Sequence, residues 1–413
     1  MPEFLKLIPP QQAKSIMFDA LSRRKTRPGE MLPTASAQGR VLSNAITAPI
    51  PLPPFKRSTV DGFAVLAKDT FGASGTLPVY LKLLGEIEMG SSRPAPSLET
   101  TQTIAIHTGG MLPDEADAVV MIEDTQRIAE REIEVLKAVA PGENVLQKGE
   151  DVQQGNVVIH SGAVLRAQEI GGLMALGIVE VEVAKKPRVG ILSTGNEVVH
   201  PKVDPQLGQI RDVNSYTLSC IIEKSGGEPH RWGIVPDNFD ALLERAENAH
   251  QEDEVVIITA GSSASVHDLT ANVIEKLGEP GVLVHGVAIK PGKPTILAVA
   301  DGVPIIGLPG NPVSALLIAK LFVSPLIKHL LGVEDATPEA QVVAKLSINL
   351  NSQAGREDYV PVQLVREDDH WIAEPVFGRS NLIFTLVRAG GLIRIPPQVT
   401  GLPAGSEVAV ELF

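Results

Sequence analysis

The chain has 413 residues, a formal net charge of -13, 44% hydrophobic residues, 4% aromatics and 21% charged residues. That length exceeds what one core organises and implies two to four domains with aliphatic interiors, by the usual size of roughly 100–200 residues each. The acidic balance, with no dense Lys/Arg run, excludes a general nucleic-acid or lipid-surface binder and leaves anion binding to local sites or a divalent cation.

Residues 10–40 are predicted to be helical around QQAKSIMFDALSRR. The N-terminus carries no continuous apolar h-region, so no signal peptide is expected and a cytoplasmic location is predicted. Residues 45–185 are rich in short β-type runs, glycine and proline, with QEIGGLMALG predicted as a short helix among them. Within this stretch PLPPFKRSTVDGFAV holds an extended proline segment and then a turn at Asp61-Gly62. Further on, IHTGGMLPDEADAVVMIED and KGEDVQQGNVVIHSG mix glycine with loop carboxylates.

From Pro187 to about Gly332 strand and helix patterns alternate. RVGILST, PHRWGIV, EVVIITAG and GVLVHGVAI read as strands, and SYTLSCIIEKSGG, FDALLERAENAHQ and DLTANVIEKLG as helices. The sole cysteine, Cys220, excludes an internal disulfide or a cysteine metal cluster and reads as a small apolar residue buried on its helix. A hairpin about Asp301-Gly302 follows, and then VSALLIAKLFVSPLIKHLL, whose Lys320 and Pro325 make it a buried core helix and not a membrane span. Such alternation predicts a parallel sheet with helices on both faces. After Pro338 the runs VVAKLSINL, DYVPVQLV, HWIAEPV, GLIRIP and EVAVELF predict a small β-barrel or sandwich.

Ligands of open α/β sheets sit outside the carboxyl ends of the strands. The loops there are STGNE (193–197), VPDN (235–238), TAGSSASVHD (259–268), KPGKP (290–294) and LPGNP (308–312). Their glycines allow close backbone approach. Asn311-Pro312 is a helix N-cap followed by proline, an anion-binding end. Glu197, Asp237 and Asp268 stand beside it, and carboxylates near phosphate imply Mg²⁺. Each feature also has a plain structural reading as cap, turn or solvated lysine; their convergence on one edge favours a phosphate-plus-metal site.

The ordered set PPFKRSTVDGFAV, HTGGMLPDEADAVVMIED, GEDVQQG, ILSTGNEV, IRDVNSYTL, VPDN and KPGKP…GLPGNPVSA resembles the MoeA family of molybdopterin molybdenumtransferases, related to the E domain of gephyrin, from about Gln11 to the C-terminus. The resemblance implies a multidomain α/β plus β chain: a discontinuous helical linker domain (1–44 and 141–180), a β-rich domain (45–140), a doubly wound molybdopterin-binding α/β domain (181–332) and a C-terminal β-barrel (333–413). It implies an elongated homodimer, working with other molybdenum cofactor biosynthesis proteins, that inserts molybdate into adenylylated molybdopterin with Mg²⁺ and releases AMP.

On that resemblance Asp61, Thr108, Glu123, Asp151 and Asp268 are expected to be catalytic. Asp61, Thr108 and Glu123 would face the partner subunit's α/β domain. Gly195, Asp212, Ser263, Lys290, Pro291, Gly292, Lys293, Pro309, Asn311, Pro312 and Ser314 are expected at the cofactor, and Glu197, Asp237 and Asp268 at the metal. Lys290, Ser314 and Arg356 are candidate donors to molybdate. The chain departs from the family pattern at Lys56, commonly acidic, and in Ala260–Asp268, where Ala260, Ser265 and Val266 replace two glycines and an acidic residue. A non-catalytic molybdopterin-binding scaffold, a tungstate-preferring homologue and a molybdopterin adenylyltransferase are the alternatives that these departures and the shared α/β domain leave open.

Overall fold

A computed structural model describes residues 7–21, 28–90, 96–260, 264–334 and 340–413, with the backbone alone for 264–268. Helix α1 (Pro10–Leu21) is shorter than predicted: residues 29–33 form a strand and 34–36 a single 3₁₀ turn. Pro28 and Pro33 lack the N–H groups a helix needs there. The strand Gly29–Pro33 pairs antiparallel with Glu180–Ala184, so the early and middle segments are joined by sheet, with Leu42, Leu165, Leu173 and Val183 buried between them. The predicted short helix is α2 (Ala167–Ala175).

The β-rich region carries β1 (Gly62–Val65), β2 (Val79–Glu86), β3 (Gln102–Ile106), β4 (Ala118–Met121), β5 (Thr125–Ala129) and β6 (Glu132–Val135). They form one sheet of order β4-β1-β3-β2-β6-β5. β1 buries all four of its residues, because both faces of the sheet carry apolar clusters.

The third unit contains β7 (Arg188–Thr194), α3 (Asn214–Lys224), β8 (Glu228–Val235), α4 (Phe239–Glu252), β9 (Val255–Ala260), α5 (Ala264–Leu277), β10 (Pro280–His285), β11 (Ile296–Ala300) and β12 (Val303–Pro309). The sheet order is β8-β7-β9-β12-β11-β10. All strands run parallel except β11, which the β11–β12 hairpin turns back. That turn needs left-handed backbone at both central residues, and Asp301 (φ 47°) and Gly302 (φ 84°) supply it. Along β9, Val255 and Ile257 enter one core and Val256 and Ile258 the other, the signature of a sheet covered on both faces. Helices α4 and α5 cover one face; α1, α3 and the final helix cover the other.

Two expectations fail here. Cys220 is exposed, on the outer side of α3, since Leu218 and Ile222 take the buried side. GVLVHGVAI is not one strand: β10 stops at His285, and Ile289–Lys290 leaves the sheet to pair with the next domain. The long apolar segment runs as α6 (Pro312–Ile318), one π turn (Ala319–Val323) and α7 (Ser324–Leu330). It is apolar and long enough to cross a membrane, yet Ile318, Phe322, Val323, Leu326 and Ile327 sit in the core, as expected of a buried helix.

The last unit holds β13 (Gln341–Leu346), β14 (Glu357–Glu367), β15 (His370–Pro375), β16 (Gly391–Ile395) and β17 (Glu407–Leu412). The circuit β14-β15-β13-β17-β16-β14 closes, so this is a barrel and not a sandwich. Closure removes the free sheet edges.

Candidate functional site

A cavity of about 400 Å³ opens at the carboxyl edge of the α/β sheet. Its floor comes from the ends of β7 and β9 (Ser193, Thr194, Thr259), and its walls from Glu197, Asp212, Asn214, Asn311 and Pro312. Asp212 is buried and takes hydrogen bonds from the Ser215 N–H (3.1 Å), the Ser215 hydroxyl (2.5 Å) and the Ser193 hydroxyl (3.2 Å). It therefore ties the start of α3 to the end of β7. Asn214 Nδ2 donates to the Gly310 carbonyl at 2.8 Å and anchors the LPGNP loop on the same rim.

Gly195 has a φ of 143° and donates to the Val235 carbonyl at 3.3 Å. A Cβ there would meet Glu197 Oε2 at 2.9 Å, so the glycine lets Glu197 fold back over the turn. The Asp237 N–H donates to Asn196 Oδ1 at 3.2 Å, which brings the loops after β7 and β8 side by side. Three buried polar atoms here lack partners: Thr194 Oγ1 and Asn214 Oδ1 on cavity-lining residues, and Asp237 Oδ1 beside them. Buried polar atoms are normally bonded, so these three are open to water or a ligand.

Mg²⁺ takes one or two carboxylates and completes its shell with water and phosphate oxygens. An unpartnered Asp237 oxygen next to a loop that places Glu197 in the cavity suits that demand. Among the described residues no three His, Cys, Asp or Glu side chains are grouped as a metal cage. Ser263 and the Asp268 side chain lie outside the described residues, as does the whole connection 261–263 between β9 and α5; residues 264–268, expected as loop, already belong to α5.

The lysine loop stands apart from this cavity. Lys290 belongs to the strand that pairs with Glu357-Asp358, and its Nζ lies 4.0 Å from Asp358. Arg356 Nε donates to the same carboxylate at 2.8 Å. Pro291 follows a cis peptide bond, Gly292 packs on Ile318, and exposed Lys293 accepts the Val287 N–H through its carbonyl. Pro309 ends β12; Ser314 is buried in α6. Asn311 is at the N-cap position, as expected, but its side chain makes no capping bond, and the Val313 N–H is taken by the Ser380 carbonyl at 3.0 Å. That contact brings in a wall no sequence pattern announced: Asn381 and Ile383 of the barrel domain line the cavity.

On the β-rich domain, Asp61 precedes β1 and accepts from the Thr108 N–H (2.7 Å) and hydroxyl (3.1 Å). These bonds, the backbone one foremost, hold its carboxyl below the usual range. The Ile122 N–H donates to the Asp61 carbonyl, and exposed Glu123 follows on that turn. Asp61, Thr108 and Glu123 thus share one rim. Asp151 sits on another turn, its N–H bonded to the Leu52 carbonyl. Lys56, the departure from the acidic pattern, donates to the Asp114 and Ala116 carbonyls and secures the turn that precedes β4. His107 and Glu86, unassigned by the sequence pattern, join the Asp61 rim; the quoted IHTGG motif contained the first, and nothing local marked the second.

Comparisons agree along the chain. Residues 8–177 match the model of the MoeA N-terminal region (domain I and II), 190–329 that of a "Probable molybdopterin binding domain", and 343–413 that of the MoeA C-terminal region (domain IV). A molybdopterin molybdenumtransferase of Haemophilus influenzae is 34% identical, with 97% of this chain and 98% of that protein aligned. Molybdopterin molybdenumtransferase 1 of Mycobacterium tuberculosis is 32% identical over 91% of this chain and 92% of its own length. A crystal structure of a molybdopterin biosynthesis MoeA protein from Pyrococcus horikoshii superposes with a TM-score of 0.86 at 32% identity, covering 99% of this chain and all of that one. With matched models spanning nearly its whole length and relatives of this identity, the chain belongs to the MoeA family.

Proposed function

We propose that this chain is a molybdopterin molybdenumtransferase, acting in the cytoplasm as a homodimer, that inserts molybdate into adenylylated molybdopterin and releases AMP. The observation that carries the reading is the cavity at the carboxyl edge of the α/β sheet, where Thr194 and Asn214 on its wall, and Asp237 on the neighbouring loop, hold unpartnered buried oxygens. A ligand bearing donor N–H groups and a phosphate-bound cation would satisfy them.

In this proposal Asp212 holds the cavity floor through Ser193 and Ser215, Gly195 and Pro309 shape the flanking turns, and Asn311, Pro312 and Ser314 form the helix start beside the phosphates. Glu197, Asp237 and Asp268 would hold Mg²⁺, which supplies neutralisation of phosphate charge when bound. Ser263 would add a hydroxyl to the same rim. Lys290, Pro291, Gly292 and Lys293, with Arg356, make a cationic loop for molybdate. Asp61, Thr108 and Glu123 would serve the partner subunit's cavity, with Asp151 a further catalytic carboxylate. The domain division is proposed at 1–44 with 141–180, 45–140, 181–332 and 333–413, with α1 docked on the α/β core through Ala13, Met17 and Leu21.

The test is direct. Purified protein with adenylylated molybdopterin, Mg²⁺ and molybdate should release AMP; EDTA should stop release and Mg²⁺ restore it. No AMP with fully folded protein would sink the activity, and full activity in EDTA would remove the metal role.

A further inference from the structure

The Asp61 rim contains a group that the proposed reaction does not yet use. His107 lies between two carboxylates: its Nε2 is 2.7 Å from Glu86 Oε1 and its Nδ1 3.5 Å from Asp61 Oδ1. Three elements meet here. Asp61 enters β1, Glu86 ends β2, and His107 follows β3, so the sheet itself sets the spacing. Thr108 holds the same Asp61 oxygen by its N–H and hydroxyl. The imidazole stands 3.5 Å from that same oxygen, an ion-pair distance when the ring is protonated.

We propose that His107 is a positioning residue: as an imidazolium bridged between Glu86 and Asp61, it locks the Asp61 carboxylate in the orientation the reaction uses. This rests on the reading of Asp61 as part of the active site. The charged groups facing the ring are Glu86 first and Asp61 second, both raising its proton affinity, and together they outweigh its partial desolvation. A cation is needed because two carboxylates converge on one ring; a neutral imidazole has a single N–H and could donate to only one of them. His107, Asp61 and Glu86 are all more than half exposed, so water screens the pair and the effect is modest in size.

The sign follows from the raised value. The bridge is complete while His107 is protonated and is lost as pH rises through that value. AMP release should therefore fall on the alkaline side of the His107 titration. His107→Gln should lower kcat by about two- to fivefold, the scale of an exposed charge pair, and should flatten that alkaline limb. His107→Asn, which keeps an N–H donor near the Nδ1 position, should recover part of kcat without the limb.

A readout free of turnover accompanies this. In histidine-labelled protein, the His107 ring resonance should titrate above the ordinary imidazole value, and both Glu86→Gln and Asp61→Asn should bring it down. A ring that titrates at the ordinary value, or a His107→Gln protein with kcat and alkaline limb intact, overturns the proposal. If the wild-type protein releases no AMP, the activity reading fails by itself. The Asp61→Asn titration then decides the bridge: a lowered ring value keeps it, and an unchanged one overturns it.

Discussion

Asp212 shows how one side chain can serve structure and site together. Its two oxygens accept three hydrogen bonds, and those bonds join α3 to β7 at the cavity floor. Asp212→Ala leaves the Ser215 N–H without its acceptor and takes one partner from each of the Ser193 and Ser215 hydroxyls, which keep the bond they share at 2.8 Å, so stability should fall by about 1–3 kcal/mol. Urea unfolding should show a lower midpoint with an unchanged slope. Lys293 is the opposite case. It is exposed, and among the described residues it is its backbone carbonyl that engages the fold. Lys293→Ala should leave stability within about 0.5 kcal/mol and weaken anion binding by about 1.5–3 kcal/mol, as loss of a charge-assisted hydrogen bond does. Titration of folded Lys293→Ala protein with molybdate checks it, and unchanged affinity would make the loop scaffolding. Of these site residues, the loop glycines and carboxylates were legible in the sequence, because turn chemistry is local. The His107–Glu86 contact was not, because neighbouring strands bring together residues from separate segments.

At the scale of elements, periodicity carried far where burial is two-sided. EVVIITAG reads as a buried parallel strand, and β9 is one, because both sheet faces are covered. The Asp301-Gly302 hairpin was equally plain, since few residues accept left-handed backbone. The strand Gly29–Pro33 was lost inside a predicted helix because its partner, Glu180–Ala184, lies far along the chain. Cys220 was placed on the wrong side of α3 because neighbours, not composition, decide a helix face. Two glycines separate backbone strain from packing. Gly302→Ala has open space around its Cβ and should cost about 1–2 kcal/mol for the left-handed backbone alone. Gly292→Ala has the same difficulty (φ 114°) and also sets a Cβ 2.5 Å from Ile318 Cδ1, so it should cost more. Paired urea midpoints compare them. The α2 start adds a pH effect. The Arg166 guanidinium beside Glu169 draws its carboxyl down to about 2 from 4.5. Its stabilisation is complete above the ordinary carboxylate value and fades as pH falls towards 2. Arg166→Ala should therefore lose stability at pH 6 and differ little from wild type near pH 2, by urea unfolding at both.

For the whole molecule, the alternation of apolar residues after Pro338 indicated a small β structure, and barrel closure follows from the added β14–β16 pairing. That the barrel supplies Asn381 and Ile383 to the α/β cavity was beyond any local pattern, since it depends on how two domains dock. The dimer proposal belongs at this scale. If Asp61 serves the partner's cavity, Asp61→Ala and Asp268→Ala proteins, each inactive alone, should regain up to about a quarter of wild-type AMP release after subunit exchange, since half the molecules would be mixed dimers with one intact site. Verified exchange without recovery would count against a shared site.

The short strand Ile289–Lys290 is hydrogen-bonded along Glu357-Asp358, while the residues just beyond it lead into β11. The lysine loop is thus stitched to both domains at once, and the Ser380 carbonyl adds a second stitch at the head of α6. Any swing of the barrel away from the α/β unit must either tear the first stitch or drag Lys290 with it. Opening the cavity and shifting the lysine loop become one mechanical event, so an anion held by that loop would act as a clasp on the relative pose of the two domains.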